Sequence, residues 1–294
     1  MGLDCGGSSC RALAVDVEGQ VVHQGQSGAA NFVSTPEPLL NANLERAIKG
    51  CPEPTHACGC FAGLLTAQDI EQVKSLLQTL CPNAAIRAEP DYAAALAASL
   101  PGTDICVIAG TGALVCSNFE GRVVKSGGRG FVLGDYGSAY RYGREFLRYH
   151  LEQGSLVEIA GELKPIFGSV SEPEIVSNLY RTGPIAPKLA QLAAAFAKAA
   201  KRGETYSLEF LSSETERLAG LVITHANRWH PQKLDVEVSL AGGLWKISPI
   251  YETVFIERLR EVSGGRKVNV RRISRAPVEG AVILAKELLY EHGI

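Results

Sequence analysis

Hydrophobic and polar positions along this chain switch repeatedly between a period of two and a period near 3.6. Leu3 to Gly6 is a short apolar run closed by glycine, and Arg11 to Asp16 is a second extended run. Val17-Glu18-Gly19 has turn chemistry, and Val21-Val22 begins the return. From Pro36 to Lys49 the spacing becomes helical, with Leu39, Leu40, Leu44, Ala47 and Ile48 on one side. Strand-like runs at Thr55 to Phe61 and Ala84 to Ala88 then alternate with helical ones at Gln68 to Leu80 and Tyr92 to Ser99. This alternation predicts an α/β sheet.

The same grammar returns further along. Ile105 to Ala109 is an apolar strand, followed by Gly110-Thr111-Gly112, a second strand Ala113 to Ser117, and a return through Val123-Val124. The turn Glu18-Gly19-Gln20-Val21-Val22 is echoed by Glu120-Gly121-Arg122-Val123-Val124 at the matching place. Two related subdomains are therefore expected. Helical spacing covers Tyr136 to Leu151 and then 172–181, 185–202 and 205–229. A buried-type strand, Val236 to Ala241, ends in Gly242-Gly243, and a helix over 247–262, a strand Val268 to Ile273 and a helix over 277–291 follow. With no low-complexity linker, the boundary is placed near Pro101-Gly102.

Composition narrows the function classes. A chain of 294 residues, 46% hydrophobic and 20% charged, can bury a core without staples and is not disordered as a whole. Its formal net charge of −2 gives no footprint for nucleic acid or an anionic membrane. No apolar run is long enough to span a bilayer, and no secretory signal or myristoylation pattern is seen, so a cytoplasmic protein is expected. The eight cysteines, Cys5, Cys10, Cys51, Cys58, Cys60, Cys81, Cys106 and Cys116, are expected to be reduced and buried or inert. Cys58 and Cys60 would share one face of a strand, with no His/Cys cluster near them to complete a zinc site.

Five stretches can carry chemistry. Asp4-Cys5-Gly6-Gly7-Ser8-Ser9 places an acid at a strand end before two glycines and two hydroxyls. Backbone N–H groups at such glycines can approach a phosphate, and a carboxylate there can hold Mg²⁺ through water; a plain hairpin is the bland alternative. Gly110-Thr111-Gly112 is the equivalent turn of the second half, and neither turn is a Walker loop or a dinucleotide fingerprint. Asp91, in Glu89-Pro90-Asp91-Tyr92, follows a strand and opens a helix, either as an N-cap or as a general base. The run 127–138 has five glycines in its first eleven residues, with Arg129 and Asp135 among them, and calls for close backbone approach to a ligand or another segment. Ala241-Gly242-Gly243-Leu244 lies between a strand and a helix, where glycines can let a flat ring rest on the backbone.

In order, these motifs resemble the sugar-kinase, hsp70 and actin superfamily, whose members have two RNase H-like subdomains with ATP bound in the cleft between them. Asp4 to Ser9 resembles the first phosphate loop, Gly110-Thr111-Gly112 the second, and Ala241 to Leu244 the adenosine motif. The run G-G-R-G-x-x-x-G-D-x-G-S-A-Y at 127–140 is similar to the N-acetylglucosamine kinase branch, together with the archaeal broad-specificity hexokinases and the ATPase activators of benzoyl-CoA reductase. The resemblance implies a first subdomain over 1–102, joined by a closing helix at about 277–294, and a second over 103–276 with helical additions. It implies an ATP-dependent kinase of N-acetylglucosamine, glucosamine or a related hexose, using Mg²⁺ and phosphorylating a hydroxyl expected to be the 6-hydroxyl. Asp91 is implied as the catalytic base and as a sugar contact, and Asp4 as the metal-side acid. Gly6, Gly7, Ser8, Ser9, Gly110, Thr111, Gly112, Gly242, Gly243 and Leu244 are implied at ATP, and Asn31, Arg129 and Asp135 at the sugar. The sequence departs from the family pattern at Ser8 and Cys10 in place of threonines, Leu114 in place of Asn, Arg129 in place of Trp and Tyr136 in place of an acid. Arg129 agrees better with the broad-specificity hexokinases. The partner expected is a small-molecule sugar, with a homodimer as the assembly to test; the alternative implied function is an ATPase that activates a partner reductase through an iron–sulfur cluster.

Overall fold

A computed structural model describes residues 1–291. The chain separates into two compact units, Met1–Pro101 with the segment from Ile273 on, and Gly102–Arg272. The first unit opens with β1 (Gly2–Cys5), β2 (Cys10–Val15) and β3 (Val21–Ser27), followed by α1 (Glu37–Ile48), β4 (His56–Phe61), α2 (Ala67–Leu80), β5 (Ala85–Pro90) and α3 (Asp91–Ala97). Its sheet has the order β3-β2-β1-β4-β5. The meander β1–β3 is antiparallel, while β4 and β5 add in parallel. That arrangement sets β1 centrally, so Leu3 and Cys5 are fully packed and the strand's end presents Asp4 and the turn beyond it.

The second unit repeats the plan. Its strands are β6 (Ile105–Ala109), β7 (Ala113–Phe119), β8 (Arg122–Gly127), β9 (Asp235–Ala241) and β10 (Lys267–Arg272), in the order β10-β9-β6-β7-β8. Again a three-strand antiparallel meander is extended by two parallel strands. Between β8 and β9 lie α4 (Gly130–Leu133), α5 (Ala139–Glu152), α6 (Ala160–Phe167), α7 (Glu172–Arg181), α8 (Ile185–Ala190), α9 (Ala193–Lys201) and α10 (Thr205–Trp229). After β9 come α11 (Leu244–Ile247) and α12 (Pro249–Glu261). The core of this unit joins Val107 and Val115 of the sheet to Tyr142, Phe146, Phe196 and Tyr251 of the helices. His225 of α10 is fully buried between Ser117 and Ser126, bonded at 2.9 and 2.8 Å, and burial pushes its pKa down to about 4. Among the described residues no helix is long and apolar enough to cross a membrane.

The chain then returns to the first unit as α13 (Pro277–Glu291). Residues 292–294, within the closing segment expected from sequence, lie outside the described residues. The helix packs on α3 and β1 through glycine contacts. A Cβ at Gly280 would sit 1.9 Å from the Ala94 carbonyl oxygen, and one at Gly2 would sit 2.4 Å from the Val282 nitrogen. Both neighbours are backbone, which cannot swing aside. Gly280→Ala is therefore expected to destabilise the first unit by about 3 kcal/mol or more, as overpacking against fixed backbone does. A urea titration followed by circular dichroism checks this; a midpoint equal to wild type would show that α13 can shift freely.

Several local differences from the periodicity have physical causes. The helix expected from Tyr136 starts at Ala139, because Asp135 and Gly137 take positive φ values of 58° and 72° and Ser138 caps the helix by accepting the Arg141 N–H. The stretch 185–202 is two helices, with three-residue hydrogen bonds from Gln191 and Leu192 back to Lys188 and Leu189 at the break. The helix expected over 247–262 is likewise divided, at the extended Ser248. α6 escapes the sequence pattern because Pro165, normally a breaker, sits inside it.

Candidate active site

In the first unit, β1 delivers Asp4 to the carboxyl side of the sheet, paired across to Arg11 of β2 and to Cys60 of β4. Burial pushes the Asp4 carboxyl up to about 6, the negative charge of Asp91 adds to the rise, and Arg11 opposes it. Asp91 is the first residue of α3, and Pro90 occupies the cap position with no side-chain capping bond. The alternative of Asp91 as the N-cap is thus corrected: proline takes that position, and the carboxylate stands one residue later, at the positive end of the helix. Two neighbouring carboxylates that repel one another are the donor set a hard cation relieves.

The turn Gly6-Gly7-Ser8-Ser9 joins β1 to β2 and closes with a Gly6 N–H to Ser9 oxygen bond of 2.9 Å. Gly7 and Ser8 are exposed. A Cβ at Gly7 would meet nothing within 4 Å, and one at Gly6 only the Ser9 oxygen at 3.6 Å. Neither glycine has the positive φ that would reserve its place for backbone reasons. The fold therefore does not require glycine at either position, and the turn leaves room for close approach to its backbone. Gly7→Ala is expected to change stability by no more than about 0.5 kcal/mol, as surface changes do. Where the turn serves as the phosphate loop it resembles, the same variant would weaken binding of the ATP analogue AMPPNP by about tenfold or more, since small misplacements around a phosphate are costly. Differential scanning fluorimetry and calorimetric titration check the pair; equal loss of both would make the glycine structural.

Asn31 lies in the same unit. Its Oδ1 accepts the N–H groups of Val33 and Ser34 at 3.0 and 2.9 Å, so Nδ2 is the amide's donor side. Ala30 N–H bonds the Gly6 oxygen at 3.0 Å, tying this loop to the glycine turn.

In the second unit, Gly110-Thr111-Gly112 makes the tight turn from β6 to β7. A Cβ at Gly110 would have open space, its nearest neighbour being the Gly243 nitrogen at 3.9 Å, so this turn and the Gly242-Gly243 turn after β9 adjoin. Gly243 is also open, whereas Gly242 has φ +102° and a Cβ there would lie 2.1 Å from the Ala109 oxygen. Gly242 is thus demanded by the fold. Leu244, expected at the nucleotide, has its side chain in the core, so only its backbone could serve there.

The glycine-rich run follows β8. Arg129 is exposed and precedes α4. Leu114, where the resembled kinases have Asn, packs against the backbone of Gly128, within 3.0 Å of where a Cβ would stand. Tyr136 lies beneath two guanidinium groups, those of Arg217 at 4.8 Å and Arg141 at 5.4 Å from its ring centre. Asp135 is buried, and its Oδ2 would be 2.8 Å from a Cβ on Gly112. Burial raises its pKa, while the Ala113 N–H and the charge of Lys125 hold it down. Its carboxylate thus lies over the Gly110–Gly112 turn.

One site-supporting residue escaped the sequence reading. Glu214 of α10 is buried, receives Arg141 at 2.7 and 3.1 Å, and accepts the Gly137 N–H at 2.9 Å. It holds the glycine run onto α10. The available signal was an acid placed among Leu211, Thr215 and Leu218 on the apolar stripe of a long helix, where a charge is found only when paired.

Residues 1–285 match the BadF/BadG/BcrA/BcrD ATPase family. The chain belongs to that family. Among curated relatives, it is 24% identical over 258 residues to an N-acetylmuramic acid/N-acetylglucosamine kinase of Clostridium acetobutylicum, covering 83% of this chain and 84% of the relative. It is 32% identical over 145 residues to a glucosamine kinase of Vibrio cholerae, spanning 47% of this chain and about half, 49%, of that relative. Among solved structures, a Porphyromonas gingivalis protein provisionally described as an N-acetylglucosamine kinase superposes with a TM-score of 0.74 at 18% identity, covering 99% of this chain and 98% of that one. A glucokinase of the ROK family from Streptomyces griseus, in complex with glucose and AMPPNP, gives 0.53 at 19% identity over 97% and 98% of the two chains. These superpositions establish for this BadF-family chain the α/β fold of the actin-like ATPases and sugar kinases.

Proposed function

We propose that the protein is an ATP-dependent sugar kinase that phosphorylates an amino sugar, an N-acetyl amino sugar or a related hexose, at its 6-hydroxyl. The observation that carries this is the match, over 83% of the chain, to a curated N-acetylmuramic acid/N-acetylglucosamine kinase. The acids and open glycine turns described above support it.

In this reading Asp91 takes the proton of the attacking sugar hydroxyl. The new O–P bond forms to the γ-phosphorus as the bond to the β-phosphate bridging oxygen breaks, and ADP leaves. The N–H groups of Gly6, Gly7, Thr111 and Gly112, with the hydroxyls of Ser8 and Ser9, hold the phosphates, and the backbone of Gly242, Gly243 and Leu244 carries the adenosine. The side chains of Asn31, through Nδ2, of Arg129 and of Asp135 contact sugar hydroxyls. Asp4 suits Mg²⁺: it is an oxygen donor whose repulsion with Asp91 a divalent cation would relieve, and Mg²⁺ takes one or two carboxylates alongside substrate phosphates. When bound, the ion would neutralise phosphate charge.

Eight free thiols suit a reducing cytoplasm, and a symmetric homodimer is the assembly to test by light scattering. The activator ATPase is not favoured, since seven of the eight cysteines are buried in the interior and burial raises the thiols of Cys5 and Cys81, away from the thiolate form a cluster binds. The experiment is ADP release with MgATP across amino, N-acetyl and plain hexoses. Acceleration by one sugar class supports the kinase and names its substrate; steady release without sugar would support the activator ATPase instead.

A further inference from the structure

The glycine-rich run between β8 and α5 is gripped at both of its ends by one face of α10. Glu214, Leu218, Leu221 and His225 recur at helical spacing and so share that face. At the far end of the run, Glu214 accepts the Gly137 N–H at 2.9 Å, and a Cβ on Gly137 would stand 2.9 Å from Leu218 Cδ2. At the near end, a Cβ on Gly127 would stand 2.8 Å from Leu221 Cδ2, and the Ser126 hydroxyl bonds His225 Nδ1 at 2.8 Å. Glu214 and His225 lie roughly 16 Å apart along the helix axis, at ~1.5 Å per residue. A single rigid element therefore fixes the two ends of the run at a set separation.

Between the grips the run stands out as an arch. Arg129, Val132 and Leu133 are exposed, and a Cβ at Gly130 would meet nothing within 4 Å. Its inward contacts come from β7, where the Ala113 oxygen accepts the Gly128 N–H at 3.2 Å and the Asp135 carboxylate accepts the Ala113 N–H, and from Phe131 packed on Tyr140. An arch of this kind takes its shape from its supports. Of these, His225 has the most specific geometry. Its ring joins two strands, Nε2 to the Ser117 hydroxyl of β7 at 2.9 Å and Nδ1 to Ser126 of β8. Ser117 also bonds His230 Nε2 at 3.0 Å. Burial, with His230 and Arg228 adding to it, keeps the His225 imidazole neutral, so it offers one donor and one acceptor. Ser126 immediately precedes Gly127, whereas Ser117 lies in the middle of β7.

We propose that His225 is a positioning residue for the sugar: through Ser126 it anchors the glycine-rich run to α10 and so sets where Arg129 and Asp135 stand. This rests on the reading of those two side chains as sugar contacts. The proposal separates the two serines. Ser117→Ala removes a buried hydrogen bond and leaves the anchor, while Ser126→Ala removes the anchor itself. His225→Asn keeps the anchor, because the amide group, like Nδ1, is one bond beyond Cγ and can donate or accept.

The test uses the full chain, with steady-state kinetics on the accepted sugar, calorimetric titration with Mg-AMPPNP, urea midpoints, and hydrogen exchange of residues 127–137 followed by mass spectrometry. His225→Ala and Ser126→Ala are each expected to raise the sugar KM by about tenfold, the scale on which misplaced contacts are felt, and to speed exchange in the run. AMPPNP affinity should stay within about threefold of wild type in both. Combining the two changes should raise the sugar KM no further than His225→Ala alone, since one anchor is lost in either case. Ser117→Ala should lower the urea midpoint yet leave the sugar KM and the exchange of the run as in wild type. His225→Asn should return the sugar KM to within about threefold of wild type. Should His225→Ala fail to fold, the two serine variants decide. Serine variants that move sugar KM and exchange alike, or a Ser126→Ala variant that moves neither, would overturn the proposal and leave His225 a core residue. If no sugar accelerates wild-type turnover, the kinase reading falls by itself and exchange decides the anchor: faster exchange in Ser126→Ala but not in Ser117→Ala upholds it, and equal exchange overturns it.

Discussion

Asp91→Asn is expected to bind ATP and sugar nearly as wild type does and to lose ~10²–10⁴-fold in kcat, the usual worth of a general base. The substitution keeps the size of the side chain and leaves α3 without a lost cap, since Pro90 holds the cap position. It removes the one property a base needs, a carboxylate able to take a proton. The prediction is a split: kcat falls while AMPPNP affinity and sugar KM move little. A variant turning over within about threefold of wild type would leave proton transfer to another group.

Asp4→Asn is expected to abolish most turnover and at the same time make the protein more stable at neutral pH. Burial and the charge of Asp91 raise the Asp4 carboxyl from an ordinary 3.8 to about 6. The folded state thus holds on to a proton that the unfolded chain releases. Between those two values the native state binds more protons than the unfolded one, so stability falls as pH rises from 3.8 to about 6 and stays lower above it. The cost at pH 7 is of order 1–3 kcal/mol, allowing for the partial exposure of the side chain. Asn cannot ionise and avoids that cost. Urea midpoints at pH 4 and pH 7 test the sign: wild type and variant should differ most at pH 7 and converge at pH 4. A variant less stable than wild type at pH 7 would mean that Asp4 gains more from Arg11 than it loses to burial. Cost in the empty protein and use in the bound one belong together, because an ion with its phosphates would supply the countercharge that the fold withholds.

The fold was legible wherever one period held for long enough. The helix over 205–229 and the strand pairs around both Glu-Gly turns follow from apolar spacing and turn chemistry. The repeated turn at Gly19 and Gly121 anticipated the shared plan of the two sheets. Short-range patterning missed events decided by tertiary contact: Pro165 accommodated inside α6, the divided helix at Gln191, and the delayed start of α5. The same divide runs through the site. Glycines and acids announce themselves by residue type, so Asp4, Gly6, Gly7, Asp91 and Gly110 stand out as candidates. What a side chain faces cannot be read this way. Leu244 points into the core, Asn31 spends its oxygen on its own loop, and Asp135 turns onto Gly112. Glu214 stayed hidden because its partners, Arg141 and Gly137, lie more than seventy residues away in sequence.

The central claim is transfer of a phosphoryl group to a sugar, and the most direct measurement is the stoichiometry of its products. MgATP is incubated with the sugar that most accelerates ADP release, and sugar phosphate and ADP are quantified together by mass spectrometry. One sugar phosphate for each ADP, with neither formed when Asp91→Asn replaces the wild type, is the predicted result. ADP and inorganic phosphate accumulating with no phosphorylated sugar would contradict it.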